Sequence, residues 1–237
     1  MVGPRLCALI VAEPALGRLV AALLEHAGCA ALVLDASPDG DIMGRALDAD
    51  LLVVDLDSGA DLPAFAPWRR AATVGLSRRA TRLRLEAFRR GIELVAIPCP
   101  MDELVTRLCA ALRRAGAGEP RIHPRVHLDR IEIDLLAQRA RIGGRVIRLS
   151  DLELLLLCIL AASAGEVVRR ESIIRALWGG LAAIGSNVVD RHVRDLRVKL
   201  GDDWRAPRYI ETVSGSGYRW IQASDVDAEP VAGQSAG

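Results

Sequence analysis

"LLVVDLDSG", residues 51–59, is four aliphatic residues running into an acid, then a polar stretch with a glycine. A strand covered on both faces reads as such an unbroken apolar run, and strands of this kind belong to parallel sheets. An open parallel sheet does its chemistry at the carboxyl edge of its strands, and that edge is where this reading puts the Asp55 carboxylate. Similar strand-like runs lie at 6–12, 30–35, 72–77 and 92–97. Helix-like stretches alternate with them at 15–27, 41–49, 79–90 and 101–114, with a poorer one around 62–70. Leu104, Leu108, Ala111 and Leu112 show the three-and-four spacing of a helix with one apolar face. Five such units predict an α/β domain over 1–114, a doubly wound five-stranded parallel sheet. It closes in "RRAGAGEP", which reads as a linker at 115–120.

The bulk numbers fit two domains. The chain has 237 residues and is 51% hydrophobic with 3% aromatics, so aliphatic residues and alanine must fill the cores. No apolar run is long enough to cross a membrane, and no signal-peptide pattern opens the chain. The five cysteines, Cys7, Cys29, Cys99, Cys109 and Cys158, are scattered and form no CxxC pair, which points to a reducing, cytoplasmic setting. His26, His123 and His127 show no metal-like clustering, and no nucleophile–base set or phosphate loop is found, so an enzyme is not expected. Residues 1–116 carry 14 Arg and 14 acids, whereas 121–222 carry 17 Lys/Arg against 12 acids, a net of +5. A polyanion partner is therefore expected for the second half. The last residues, 223–237, are acidic and small and read as a disordered tail.

Beyond the linker the pattern changes. "VHLDRIEIDLLAQRARIGGRVIRL" alternates apolar and polar residues and turns at Gly143-Gly144. Ser150 and Glu153 form a capping box for a helix through "DLELLLLCILAAS". Further helices are expected at about 170–178 and 186–200, followed by two short strands around Ser214-Gly215-Ser216-Gly217. Sheet, three helices and a final hairpin is the order of an α+β winged helix-turn-helix domain, here 121–222. In "SNVVDRHVRDLRVKL", Val189, Val193, Leu196 and Leu200 form one apolar stripe. Asn187, Arg191, Arg194 and Val198 lie opposite, with Arg197 and Lys199 at the flanks. An ordinary amphipathic helix with a solvated face looks the same. A glycine-tipped ribbon after a basic helix favours DNA, with the helix in the major groove and the loop beside it.

"RLSDLELLLL…GEVVRRESIIRALWG…NVVDRHVRDLRVKL…YIETVSGSGYRWI" resembles the effector domain of OmpR/PhoB-type response regulators over about 100 residues, and residues 5–114 resemble the receiver domain that precedes it. The resemblance implies a dimeric transcription regulator that binds double-stranded DNA and works with RNA polymerase. It implies DNA contact by Asn187, Arg191, Arg194, Arg197, Lys199, Thr212, Ser214 and Arg219. Asp195 and Ser214 stand where relatives often carry arginine, so the target sequence cannot be carried over. "GGLAAIGS", in the place of the polymerase-contacting loop, is small and uncharged. His192 reads equally as a phosphate contact or as a structural side chain.

A receiver moves a phosphoryl group onto an aspartate, using a divalent cation held by acids and a lysine that offsets the charge. Here Asp55 holds the acceptor place and Ser77 the hydroxyl place. Ala12 and Glu13 stand at the acid pair, and Ile97 replaces the lysine. Asp55, Glu13 and Ser77 are thus a degenerate phospho-acceptor site, with no cofactor expected unless the pocket still binds Mg2+. Asp55 is expected to be a solvated strand-end carboxylate without a neutralising cation, and Asp55→Asn to cost little. Function is expected to be independent of phosphorylation, with dimerisation through the face made by 79–90, strand 92–97 and helix 101–114. Leu83, Leu85, Phe88, Glu93 and Arg107 are its candidate residues. The alternatives are a phosphorelay regulator still modified on Asp55, and a receiver-like module whose main role is to bind a protein or small ligand.

Overall fold

A computed structural model of the chain describes residues 7–34, 49–57, 71–78, 85, 87–116, 125–135, 137–179 and 187–222. Strands β1 (Cys7–Val11), β2 (Ala30–Leu34), β3 (Leu51–Asp55), β4 (Ala72–Ser77) and β5 (Glu93–Ala96) form one parallel sheet in the order β2-β1-β3-β4-β5. All five residues of β3 are buried, which accounts for its unalternating apolar run. The chain reverses direction across the sheet between β1 and β3, so their carboxyl ends flank the crevice typical of this fold. Asp55 is the last residue of β3. Helix α1 (Pro14–His26) follows β1, and α2 (Met101–Arg114) follows β5. The helical stretches expected at 41–49 and 62–70 fall, except for Ala49, outside the described residues. Of the 79–90 stretch, Leu85 and residues 87–89 are described as helical.

The second half opens with a four-stranded antiparallel meander, β6 (Arg125–Leu128), β7 (Ile131–Asp134), β8 (Arg139–Ile142) and β9 (Arg145–Arg148). Gly143 and Gly144 turn β8 into β9, as the sequence predicts, and both have positive φ. Helix α3 (Asp151–Ala162) starts at the Ser150–Glu153 capping box, with both reciprocal hydrogen bonds made. Strand β10 (Val167–Arg169), helices α4 (Arg170–Trp178) and α5 (Val188–Leu200), and strands β11 (Ile210–Val213) and β12 (Gly217–Trp220) complete it. The last sheet has three strands, β10-β12-β11, and not the two expected. β10 is only three residues long and leads directly into α4, too short to leave a period in the sequence.

The two halves share one continuous core. Residues Glu153 to Ala161 of α3 are buried without a break, so the helix is covered on every side. Part of that cover is α1, which packs against both α3 and α4. A helix that is apolar all round needs such cover. On α1 only Arg18, Ala22, Glu25 and His26 among the residues after Pro14 escape burial.

Candidate DNA-binding face and the Asp55 pocket

Helix α5 is held from its inner side and left bare on its outer one. Val189, Val193, Leu196 and Leu200 are buried. Asp190 accepts hydrogen bonds from the Tyr218 hydroxyl of β12 and from Arg170 Nε at 2.9 Å. The Tyr218 hydrogen bond, with help from Arg170 against the cost of burial, holds the Asp190 carboxyl below the usual range. Burial, then the hydrogen bond to Asp190, pushes the Tyr218 hydroxyl up to about 12. His192 stacks on Trp178 with ring centroids 5.8 Å apart, which makes it part of the α4–α5 packing. Val189-Asp190, His192 and Tyr218, prominent in the sequence pattern, therefore set the position of the helix.

On the outer side Asn187, Arg191, Arg194 and Val198 are exposed, Val198 at 75%. Arg191 has no ion pair among the described residues, and Arg194 meets only its neighbour Asp195 at 3.3 Å. The turn at Ser214–Ser216 beside this face is exposed, as is Thr212. Gly215 there has φ +71°. Gly217 is required for a different reason than the turn: a Cβ on it would lie 2.1 Å from the Val168 carbonyl oxygen of β10.

Among the expected DNA contacts, Arg197, Lys199 and Arg219 are bound to groups of other elements. Arg197 donates to the Ile210 carbonyl at 2.7 Å and to Thr212 Oγ1 at 2.8 Å, bracing the helix against β11. Lys199 pairs with Glu153 at 2.5 Å. Burial opposes the charge of Glu153, but Lys199 and the Ser150 cap bring its carboxyl below the usual range. Arg219 pairs with Glu211 across the β11–β12 ladder. Their sequence positions match the expected contacts, but their side chains satisfy carboxylates and carbonyls left by the fold. The exposed arginines Arg139 and Arg148, which face each other across β8 and β9, were not singled out from the sequence. Arginine on alternate residues of a strand is a usable signal for such a basic sheet face.

The Asp55 pocket departs from its expected form. Asp55 is 1% exposed, so it is not a solvated strand end. It also has a cation: Arg78, directly after β4, makes a buried ion pair with it. Asp55 further accepts from the backbone N–H of Asp57 at 3.1 Å and of Glu13 at 3.4 Å. Asp57 accepts from the Ser77 hydroxyl at 3.3 Å and from the Arg78 backbone N–H. Glu13, expected beside the acceptor as a metal acid, is the N-cap of α1 and accepts from Ala15 N at 2.9 Å and Leu16 N at 3.2 Å. Pro14 at the first helical position follows the same logic. Ile97 is buried in the core. One oxygen of Glu13 caps α1 and the other, Oε1, is buried without a hydrogen-bond partner among the described residues, while Asp55 holds a guanidinium and Asp57 takes N–H and O–H donors; one remaining carboxylate oxygen does not make a site for a divalent cation. No cluster of three metal-type side chains occurs among the described residues.

Just before edge strand β5, Phe88 is 80% exposed and Leu85 60%, so these two do not serve as cover for the sheet. Phe88 lines an open groove together with Ile92, Glu93, Leu94 and Arg107. Glu93 is bound within the chain by Arg107 at 3.1 Å and Arg114 at 2.5 Å. Burial works against its charge, yet these guanidiniums lower its carboxyl below the usual range. Cys99 is buried, and burial with nearby Glu103 raises its thiol to about 12, which leaves it unreactive.

The arrangement is that of a winged-helix regulator joined to a receiver-like domain. Residues 144–220 match the family described as "Transcriptional regulatory protein, C terminal". The transcriptional regulatory protein KdpE of Mycobacterium tuberculosis is 31% identical over 178 residues, which cover 72% of this chain and 79% of that one. KdpE of Escherichia coli is 27% identical over 216 residues, 88% of this chain and 96% of that one. The transcriptional regulatory protein YcbL of Bacillus subtilis is 33% identical over 130 residues, and only 58% of its length is matched. Among solved structures, the DNA-binding domain of Klebsiella pneumoniae RstA in complex with RstA box matches 42% of this chain and 98% of that one at 28% identity, with a TM-score of 0.38. The chain belongs to the OmpR/PhoB family of transcriptional regulators and carries its DNA-binding domain. No helix among the described residues is long and apolar enough to cross a membrane.

Proposed function

We propose that this chain is a cytoplasmic, sequence-specific regulator that binds double-stranded DNA as a homodimer without needing phosphorylation, and acts through RNA polymerase. One observation carries the DNA reading. Asn187, Arg191 and Arg194 project from a helix whose opposite face is fixed to the wing and to α3. Helix α5 is the recognition helix in the major groove, where arginine binds guanine edges with two hydrogen bonds. The Ser214–Ser216 tip meets the adjacent backbone or minor groove. Arg197, Lys199 and Arg219 act mainly by orienting these two elements. Thr212 and Ser214 are contacts of the wing.

Phosphorylation independence is supported by the Asp55 pocket, where Arg78 already neutralises the would-be acceptor and one oxygen of Glu13 is engaged in the cap of α1. The dimer is supported by the exposed Leu85 and Phe88 beside the polar rim of Glu93, Arg107 and Arg114. Residues 180–186, in the place of the polymerase-contacting loop, lie outside the described residues, as do 117–120 of the linker, 121–124 at the start of the second domain and the 223–237 tail. The test is selection of bound sequences from a random DNA pool, repeated with Arg191→Ala and Arg194→Ala. Each substitution is expected to weaken binding by about 1–3 kcal/mol and to relax preference at one base position. Unaltered affinity and preference in both would refute the assignment.

A further inference from the structure

We propose that Arg78 is an interdomain latch, through which the charge of Asp55 holds the carboxyl end of α4 against the receiver-like domain. One edge of the guanidinium pairs with Asp55. From the other, Nε and Nη2 donate to the Ala176 carbonyl at 2.9 and 2.5 Å. Ala176 lies in the last turn of α4, whose carbonyls have no partner within the helix and carry the negative end of its dipole. The capping residue Gly179 completes the seat. A Cβ there would lie 3.3 Å from Arg78 Cβ, at a φ of +76° that glycine tolerates.

The Arg78 side chain is 4% exposed, so its charge is tied to two acceptors in different domains and to Asp57 at 3.9 Å. Farther along the same interface, Arg18 on α1 donates to Ser163 Oγ at 2.8 Å and pairs with Glu166 at 3.3 Å. At the same interface α1 packs against α3. A buried guanidinium stripped of its carboxylate is costly, so loss of the Asp55 charge drives Arg78 toward water and frees Ala176. The residue that accepts phosphate in a receiver thereby serves here as a fixed anion. The recognition face of α5 stays exposed in the latched form, so the latch fixes orientation and does not mask DNA binding. This deepens the reading of Asp55 given above, and its test reads docking and not DNA affinity.

The test is hydrogen exchange on the full-length protein and its variants Asp55→Asn, Arg78→Lys, Arg78→Ala and the Asp55→Asn/Arg78→Ala double. Amides of 163–166 and of the last turn of α4 are expected to exchange about tenfold faster in each single variant. The double variant should show no further increase, because one latch is already open. Arg78→Lys keeps a charge for Asp55 but lacks the fork that reaches Ala176, so it reports on the bridge even if Arg78→Ala fails to fold. Wild-type exchange over 163–179 in Asp55→Asn and Arg78→Lys, with β1 and β3 still protected, would overturn the latch. So would additive effects in the double variant.

Discussion

At the scale of single residues, a neutral substitution at the Asp55 site is not innocuous. Asp55→Asn leaves the buried Arg78 cation, among the described residues, only the more distant Asp57 as a counter-charge, and breaking a buried pair from one side costs about 3–5 kcal/mol. A clear fall in the denaturation midpoint of the full chain is expected, and an unchanged midpoint would contradict the geometry. Tyr218 supplies a second prediction. Its hydroxyl holds its proton up to about 12 in the folded state, whereas an unfolded tyrosine releases it near its ordinary value of 10. Between those values the unfolded chain binds fewer protons, so stability falls as pH rises. The contribution is fully present below pH 10. Tyr218→Phe should flatten the pH dependence of the thermal midpoint across that window, and an equally steep loss in the variant would assign it elsewhere.

At the scale of elements, the wing depends on a close approach of backbones. Gly217→Ala places a methyl group against the Val168 carbonyl and Arg169 Cα, and these nearest atoms are all backbone, so no flexible side chain can yield. Destabilisation of about 1–3 kcal/mol is expected from overpacking, with loss of β10–β12 pairing seen in amide protection. Wild-type stability would show that β10 can move aside. The same element shows how far sequence reading reaches. Apolar runs and three-and-four spacing are strong over β3, α2 and α5, so those elements were legible. Three-residue β10 carries no period. The turns at Asp129 and Gln138 use left-handed backbone without glycine, so only the Gly143-Gly144 turn was visible. In the site, the spacing identified the faces of α5 but not what each arginine meets. The spacing puts Arg191 opposite the apolar stripe and Arg197 at its flank, but both were expected to meet DNA, and only the position of the Ile210 carbonyl and Thr212 shows that Arg197 is engaged within the chain. Arg78 was missed because its role depends on an acceptor 98 residues away.

At the scale of the whole molecule, two surfaces set the behaviour. One is the buried interface of α1 with α3 and α4, which joins both halves through one core. The other is the exposed face around Phe88. Phe88→Asp should shift unmodified protein toward monomer in sedimentation at micromolar concentration, because it puts a charge into the apolar part of the proposed dimer contact. A wild type that is already monomeric, free and on DNA, would remove the dimer from the account. On the proposed function, this regulator reads DNA without a phosphoryl switch. The most direct measurement is the affinity of full-length protein for its selected site before and after acetyl phosphate with magnesium. Tight binding by unmodified protein is expected, with the same affinity after treatment and no adduct on Asp55. Stoichiometric labelling of Asp55 together with a gain in affinity would contradict that function.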